Sequence, residues 1–218
     1  MVKDKTSLKH QSIRTFFLSF ESSSKKDVPK DDIIDEIEKK GLTYIQMRLP
    51  VETITPEYEK ELKGKIEPSI LQAKIREASN EADLKIVMTI YNRAWLTSNT
   101  PFSHIDLNSL NSIYEHSDTV ILISRLYGTD GGFIILDYEG PSKEYGIIAG
   151  LGILPNYQRK GLGTVLGLAG WKYFKEKGVK ELHCEVFVEN KASYTFIKSL
   201  GFIEFGKKTY GANGFIIE

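Results

Sequence analysis

LPNYQRKGLGTVLG, residues 154–167, is the stretch on which the reading of this chain turns. It leaves an apolar run, Tyr145 to Leu154, whose β-branched residues predict a strand. It enters a second apolar stretch, Thr164 to Lys175, whose spacing predicts a helix. Between the two lie Pro155, Gln158, Arg159, Lys160, Gly161 and Gly163. A strand that turns through glycines into a helix N-terminus makes an anion site. The first N–H groups of the helix are unpaired, and the helix dipole places about half a positive charge there. The local sequence also admits a blander reading, in which the glycines only shape a turn and Arg159 and Lys160 are solvated. Two phosphate loops are excluded. The Gly-Lys-Ser/Thr of a nucleotide P-loop is absent. In a dinucleotide fold the strand runs straight into the first glycine, whereas PNYQRK intervenes here and too little chain follows for the rest of that sheet.

The surrounding pattern orders the elements. Ile75 to Ala78 reads as a strand. Ser79 or Asn80 can cap a helix from Glu81 to Trp95, and a second helix starts near Asp106. VILISRLY (120–127), FIILDY (133–138) and YGIIAGLGIL (145–154) predict a meander, punctuated by GTDGG and EGPSKE. The helix after the glycine turn ends at Gly178. Strand ELHCEVFV (181–188), helix KASYTFIKSL (191–200) and strand FIEFGKK complete the order. Strict alternation puts Gly146, Ile148, Gly150 and Gly152 on one face. Three glycines in one strand predict the close approach of a ligand or a backbone; a bulge or a tightly packed helix is the alternative. Residues 1–70 differ in character: IRTFFLSF (13–20) and LTYIQMRL (42–49) read as strands, PKDDIIDEIEKKG (29–41) as a helix, and 55–68 as a charged helix or linker. The expected division is an extension, 1–70, forming a small β-α-β unit packed beside a main domain, 71–218.

Composition bounds the function. The chain has 218 residues, 41% of them hydrophobic, enough for one real core. The formal net charge is zero, so a nucleic-acid backbone is not an expected partner. The single cysteine, Cys184, forms no intrachain disulfide and suits a reducing compartment. No apolar run reaches membrane-spanning length, and the basic N-terminus lacks a signal-peptide core, so a cytoplasmic location with no membrane association is expected. The four histidines and Cys184 show no ligand spacing, so no metal is expected.

The stretch resembles motif A of the GNAT superfamily of N-acetyltransferases, an apolar-x-Pro step followed by Gln-x-x-Gly-x-Gly, here Ile153, Pro155, Gln158, Gly161 and Gly163. The resemblance continues on both sides. IREASNEADLKIVMTIYNRAW is similar to the first strand and helix of that superfamily, and VFVENKASYTFIKSLGF to its motif B, with Asn190, Ser193, Gly201 and Phe202 at the same spacing. It covers residues 72–218. The implied fold is α/β (α+β), with a mixed, mainly antiparallel sheet flanked by helices. The implied cofactor is acetyl-CoA, and the implied reaction is direct attack of an amine on its thioester. The pyrophosphate would meet Gln158, Arg159, Lys160, Gly161, Leu162, Gly163 and Thr164. The backbone of Ile153 and Leu154 would hold the pantetheine and polarise the thioester carbonyl. Asn190 and Ser193 would face the pantetheine from the other side.

The acceptor amine must be neutral to attack. An α-amine is about one tenth neutral at pH 7, a lysine only about one part in 2,500. Many GNAT members carry a base where this chain has Ile147. A second solution in the superfamily implies Glu185, five residues before Asn190, as base through water. Parity agrees, since His183 and Glu185 lie opposite the apolar face Leu182, Cys184 and Val186. The usual acid, a Tyr, is Ile197 here, and Tyr194 one turn earlier is the substitute. The acceptor is expected to be a small-molecule amine or a protein or peptide amine, and a homodimer is compatible with the sequence. Isoleucine at two catalytic positions keeps a second class open, a non-catalytic acetyl-CoA or CoA sensor.

Overall fold

The computed structural model of the chain describes residues 41–96 and 104–210. The strand expected at 13–20 and the helix expected at 29–41, but for its Gly41, lie outside them. Within them, seven strands form one sheet: β1 (Leu42–Pro50), β2 (Lys74–Glu77), β3 (Val120–Leu126), β4 (Thr129–Glu139), β5 (Tyr145–Ile153), β6 (Glu181–Phe187) and β7 (Ile203–Tyr210). Five α-helices accompany them: α1 (Pro56–Gly64), α2 (Glu81–Trp95), α3 (Leu107–Tyr114), α4 (Leu162–Glu176) and α5 (Lys191–Ser199). The sheet order is β2-β3-β4-β5-β6-β1-β7, antiparallel except for the parallel pair β5–β6. This is the mixed, mainly antiparallel sheet that the sequence implied.

Each face of the sheet carries its own core. On one side, Leu162, Leu166, Trp171 and Phe174 of α4 pack on Ile134, Leu136, Ile148, Leu182 and Cys184. On the other, Leu84, Val87, Ile90 and Tyr91 of α2 and Leu110 and Ile113 of α3 pack on Ile121, Ile123, Phe133 and Ile135. Helix starts follow side-chain chemistry: Asn80 Oδ1 accepts the Asp83 N–H at 3.1 Å, and Asp106 Oδ1 the Ser109 N–H at 2.7 Å. Among the described residues, no helix is long and apolar enough to cross a membrane.

Two expectations change. The strand at 42–50 does not lie beside the main sheet. It is inserted in it, antiparallel to β6 from Tyr44–Phe187 to Pro50–Glu181, and antiparallel to β7 on its other edge. Residues on both sides of position 70 therefore build one sheet. The glycines of β5 do not share a face either. Pairing with β4 passes from Ile135–Gly150 to Leu136–Ile148, so Ala149 is a bulge residue that reverses the parity. A side chain at Gly146 would meet Phe174 at 2.7 Å, on the α4 side. One at Gly152 would meet Phe133 at 2.5 Å and Trp95 at 3.0 Å, on the α2 side. Aromatic packing, rather than a ligand, accounts for these two.

Phe174 is fully buried, sits over Gly146 and meets Tyr138 edge-on at 5.5 Å between ring centroids. Phe174→Ala is expected to cost about 3–5 kcal/mol in denaturant unfolding, because the hole it leaves is bounded by backbone that cannot close on it.

Candidate active site

The site is a split in the sheet. β5 and β6 pair in parallel from Tyr145–Glu181 to Ile148–Cys184 and then separate, although β5 continues to Ile153 and β6 to Phe187. β5 remains paired with β4 through Ile153–Gly132. Its other edge, from Ala149 to Ile153, faces the gap. The Leu154 N–H donates to the Gly131 carbonyl at 2.9 Å. Strand alternation then turns the N–H groups of Ile153 and Leu151 toward the open edge. The expected contribution of Leu154 is thereby corrected: its N–H is bound to β4 and cannot serve the gap. Gln158 Nε2 donates to the Ile153 carbonyl at 2.9 Å, so the Gln158 side chain braces the turn.

A cavity of about 470 Å³ fills the split. Ile147 to Leu151 form one wall and His183 to Phe187 the other, with Asn190, Ser193, Phe196 and Ile197 of the α5 region and Trp95 of α2 at its ends. Asn190 caps α5, its Oδ1 accepting the Ser193 N–H at 3.0 Å. The expected positions Asn190, Ser193 and Glu185 are thus brought together on the cavity wall.

The cradle lies beside it. A short 3₁₀ turn, Pro155–Tyr157, carries the chain to Arg159 (φ 57°) and Gly161 (φ 97°), both left-handed. Gly161 is the N-cap of α4, and no side chain caps that helix. The other four described α-helices are capped by Thr55, Asn80, Asp106 and Asn190. The amides of Leu162, Gly163 and Thr164 are therefore left without a side-chain acceptor at the positive end of a 15-residue helix. A Cβ at Gly161 would come within 2.8 Å of Ile66, and one at Gly163 within 3.1 Å of Phe196, so packing also holds these positions small. Arg159 and Lys160 are exposed at the mouth.

At the far end of the cavity, Glu185 is partly buried, and Tyr210, fully buried, donates its hydroxyl to Glu185 Oε1 at 2.7 Å. Gln46 lies opposite Glu185 on β1, with Tyr44 and Lys208 next along, and Asp137, Glu139 and Tyr145 also line the cavity. His183 stacks on Tyr145 at 4.9 Å and shares a 2.6 Å hydrogen bond with Glu181, so it is held in a rim cluster. Burial, with the nearby Glu185 charge adding to it, pushes the Cys184 thiol up, which leaves it protonated and not a nucleophile. Tyr194 is placed otherwise than the sequence suggested. It does not line the cavity, and its hydroxyl donates to Glu204. Tyr194 shares the helix face of buried Ile197 and packs partly buried against the same core, but its ring carries the hydroxyl toward Glu204 of β7 and away from the cavity. Among the described residues, no group of His, Cys, Asp and Glu is arranged to hold a metal.

Sequence reasoning missed Tyr44, Gln46 and Tyr210. Alternation in LTYIQMRL did separate Tyr44, Gln46 and Arg48 from Ile45, Met47 and Leu49, but nothing local tells which strand lies alongside.

A family model described as "Acetyltransferase (GNAT) family" matches residues 87–202, over half of the chain. No curated protein matches the sequence. Solved structures match the fold. A ribosomal-protein alanine N-acetyltransferase from Escherichia coli is 24% identical, with 62% of this chain and 80% of that one covered and a TM-score of 0.52. The PaiA N-acetyltransferase from Thermoplasma acidophilum, in complex with coenzyme A, is 23% identical, covering 64% and 99%, with a TM-score of 0.51. The aminoglycoside N-acetyltransferase AAC(6')-Iy, in complex with CoA, is 20% identical, covering 62% and 90%, with a TM-score of 0.50.

Proposed function

Because this chain belongs to the acetyltransferase (GNAT) family, we propose that it transfers an acetyl group from acetyl-CoA to a primary amine held at the Glu185 end of the split sheet. The observation that carries this reading is the parallel pair that opens after Ile148 and Cys184 beside a helix left uncapped. The residues present fit the cofactor. The amides of Leu162, Gly163 and Thr164 would take the pyrophosphate, with Arg159 and Lys160 adding charge. The open edge of β5 would pair with the pantetheine amides, facing Asn190 and Ser193.

Acetyl-CoA supplies an acetyl thioester, and the chain supplies the rest. With the cofactor bound, the Leu151 N–H would donate to the thioester carbonyl oxygen, where charge develops, and the Ile153 N–H, nearer the cradle on the same open edge, to a carbonyl of the pantetheine. Glu185, oriented by the Tyr210 hydroxyl, accepts the proton of the attacking amine through a water. Attack on the bound thioester would form the C–N bond and break the C–S bond, and the chain would offer the departing thiolate no dedicated acid, since Ile197 occupies the usual place and the Tyr194 hydroxyl is turned to Glu204. The apolar wall of Ile147 and Trp95 excludes water from the thioester.

Incubating the protein with acetyl-CoA and a panel of primary amines, and following free thiol, tests this. Thiol release with at least one amine is expected. Binding of CoA without release for any amine would move the reading to a CoA-responsive module.

A further inference from the structure

The strand that the N-terminal region inserts into the sheet reaches the reacting end of the cavity. Tyr44, Gln46 and Arg48 alternate onto the cleft face of β1, opposite Phe187, Glu185 and His183 of β6. Gln46 is directly opposite Glu185 and lines the cavity. Its side chain is 5% exposed, yet among the described residues its Nε2 has no hydrogen-bond partner. A buried amide donor without a partner is a cost to the fold that native proteins rarely carry without use. The pairing with β7 also breaks here. It passes from Gln46–Gly206 to Met47–Glu204, leaving Phe205 as a bulge. Bulges recur beside active sites, where they re-aim a side chain. Lys208, opposite Tyr44, brings a second donor to the same end of the cavity.

We propose that Gln46 is a specificity-determining residue for the acceptor, donating from Nε2 to an oxygen next to the reacting amine, so that the acceptor is an α-amino carbonyl compound. The proposal rests on the acetyltransferase reading of the same cavity. Directly opposed residues of adjacent antiparallel strands carry their Cβ atoms about 4.5–5.5 Å apart. A base and a donor so spaced suit an amine and a carbonyl oxygen on neighbouring carbons, with Glu185 serving the nitrogen and Gln46 the oxygen. An isolated alkylamine uses only the first. The oxygen can belong to an amide, as at a peptide N-terminus, or to a free carboxylate, where Lys208 would add charge.

Three probes separate these outcomes: glycinamide, glycine, and isobutylamine as the oxygen-free match of glycinamide. Rates are compared per neutral amine. The wild type is expected to prefer glycinamide over isobutylamine by at least about tenfold, and Gln46→Met to bring that ratio near one. Acetyl-CoA affinity should not change. The melting temperature of Gln46→Met should be equal or higher, because an apolar side chain replaces an unpaired donor. Gln46→Glu, which swaps the donor for an acceptor of the same shape, should lose glycinamide as Gln46→Met does. Glycine outrunning glycinamide assigns the oxygen to a carboxylate; the reverse assigns it to an amide. A glycinamide preference that survives in Gln46→Met overturns the proposal. If no amine is acetylated, the same probes are titrated by calorimetry with and without CoA. Selective glycinamide binding lost in Gln46→Met then upholds the role of Gln46 while the transfer reading fails, and equal binding of glycinamide and isobutylamine overturns it.

Discussion

Glu185→Gln is expected to lower kcat/KM for acetyl transfer by about 10²–10³ at pH 7 while leaving acetyl-CoA affinity unchanged. The substitution keeps size and shape, so the Tyr210 hydroxyl still has an oxygen to donate to and the packing survives. What it removes is the proposed proton acceptor, a carboxylate that lines the cavity. The loss should narrow as pH rises, since a larger share of the amine is then neutral before it binds and needs no base. Steady-state rates from pH 6 to 9 measure this. Full activity throughout would remove Glu185 from the mechanism. Tyr210→Phe should give a smaller loss, about tenfold, because it removes one hydrogen bond that orients the carboxylate without deleting the carboxylate itself.

Thr164→Glu is expected to weaken acetyl-CoA binding about 100-fold, equivalent to ~2.7 kcal/mol, without destabilising the apoprotein. Position 164 is in the first turn of α4, where the uncapped amides lie. A carboxylate there interacts favourably with the helix dipole and can accept from the free N–H groups, so the unfolding midpoint should hold or rise slightly. The same charge would occupy the place proposed for the pyrophosphate and repel it. A stability gain coupled to an affinity loss separates a working anion cradle from a turn that only needs glycines. If affinity were unchanged, the cradle would have no part in binding.

Much of this was legible in LPNYQRKGLGTVLG and its flanks. The helix at Glu81–Trp95, the meander, and the uncapped helix behind Gly161 follow from local periodicity and turn chemistry, which are properties of neighbouring residues. The parts that were not legible depend on long-range pairing. Nothing in LTYIQMRL specifies that it lies between β6 and β7, so the role of Gln46 and the tie between Glu185 and Tyr210 were hidden. One bulged residue, Ala149, reversed the parity of the β5 glycines, and a count of alternation cannot see an insertion. Glu185 was singled out by its spacing before Asn190, and the parity that accompanied that reading holds because β6 runs without a bulge against β1. Tyr194 was misplaced because its hydroxyl is taken by Glu204 on β7, a partner ten residues away that helix periodicity cannot announce.

The central claim is that the opened pair β5–β6 and the uncapped start of α4 form one coenzyme A site. Calorimetric titration of CoA and acetyl-CoA into the full chain tests it most directly. The account predicts saturable binding at one site per chain, in the micromolar range, weakened about 100-fold in Thr164→Glu and retained in Glu185→Gln. No binding by the wild type at high micromolar ligand would contradict it.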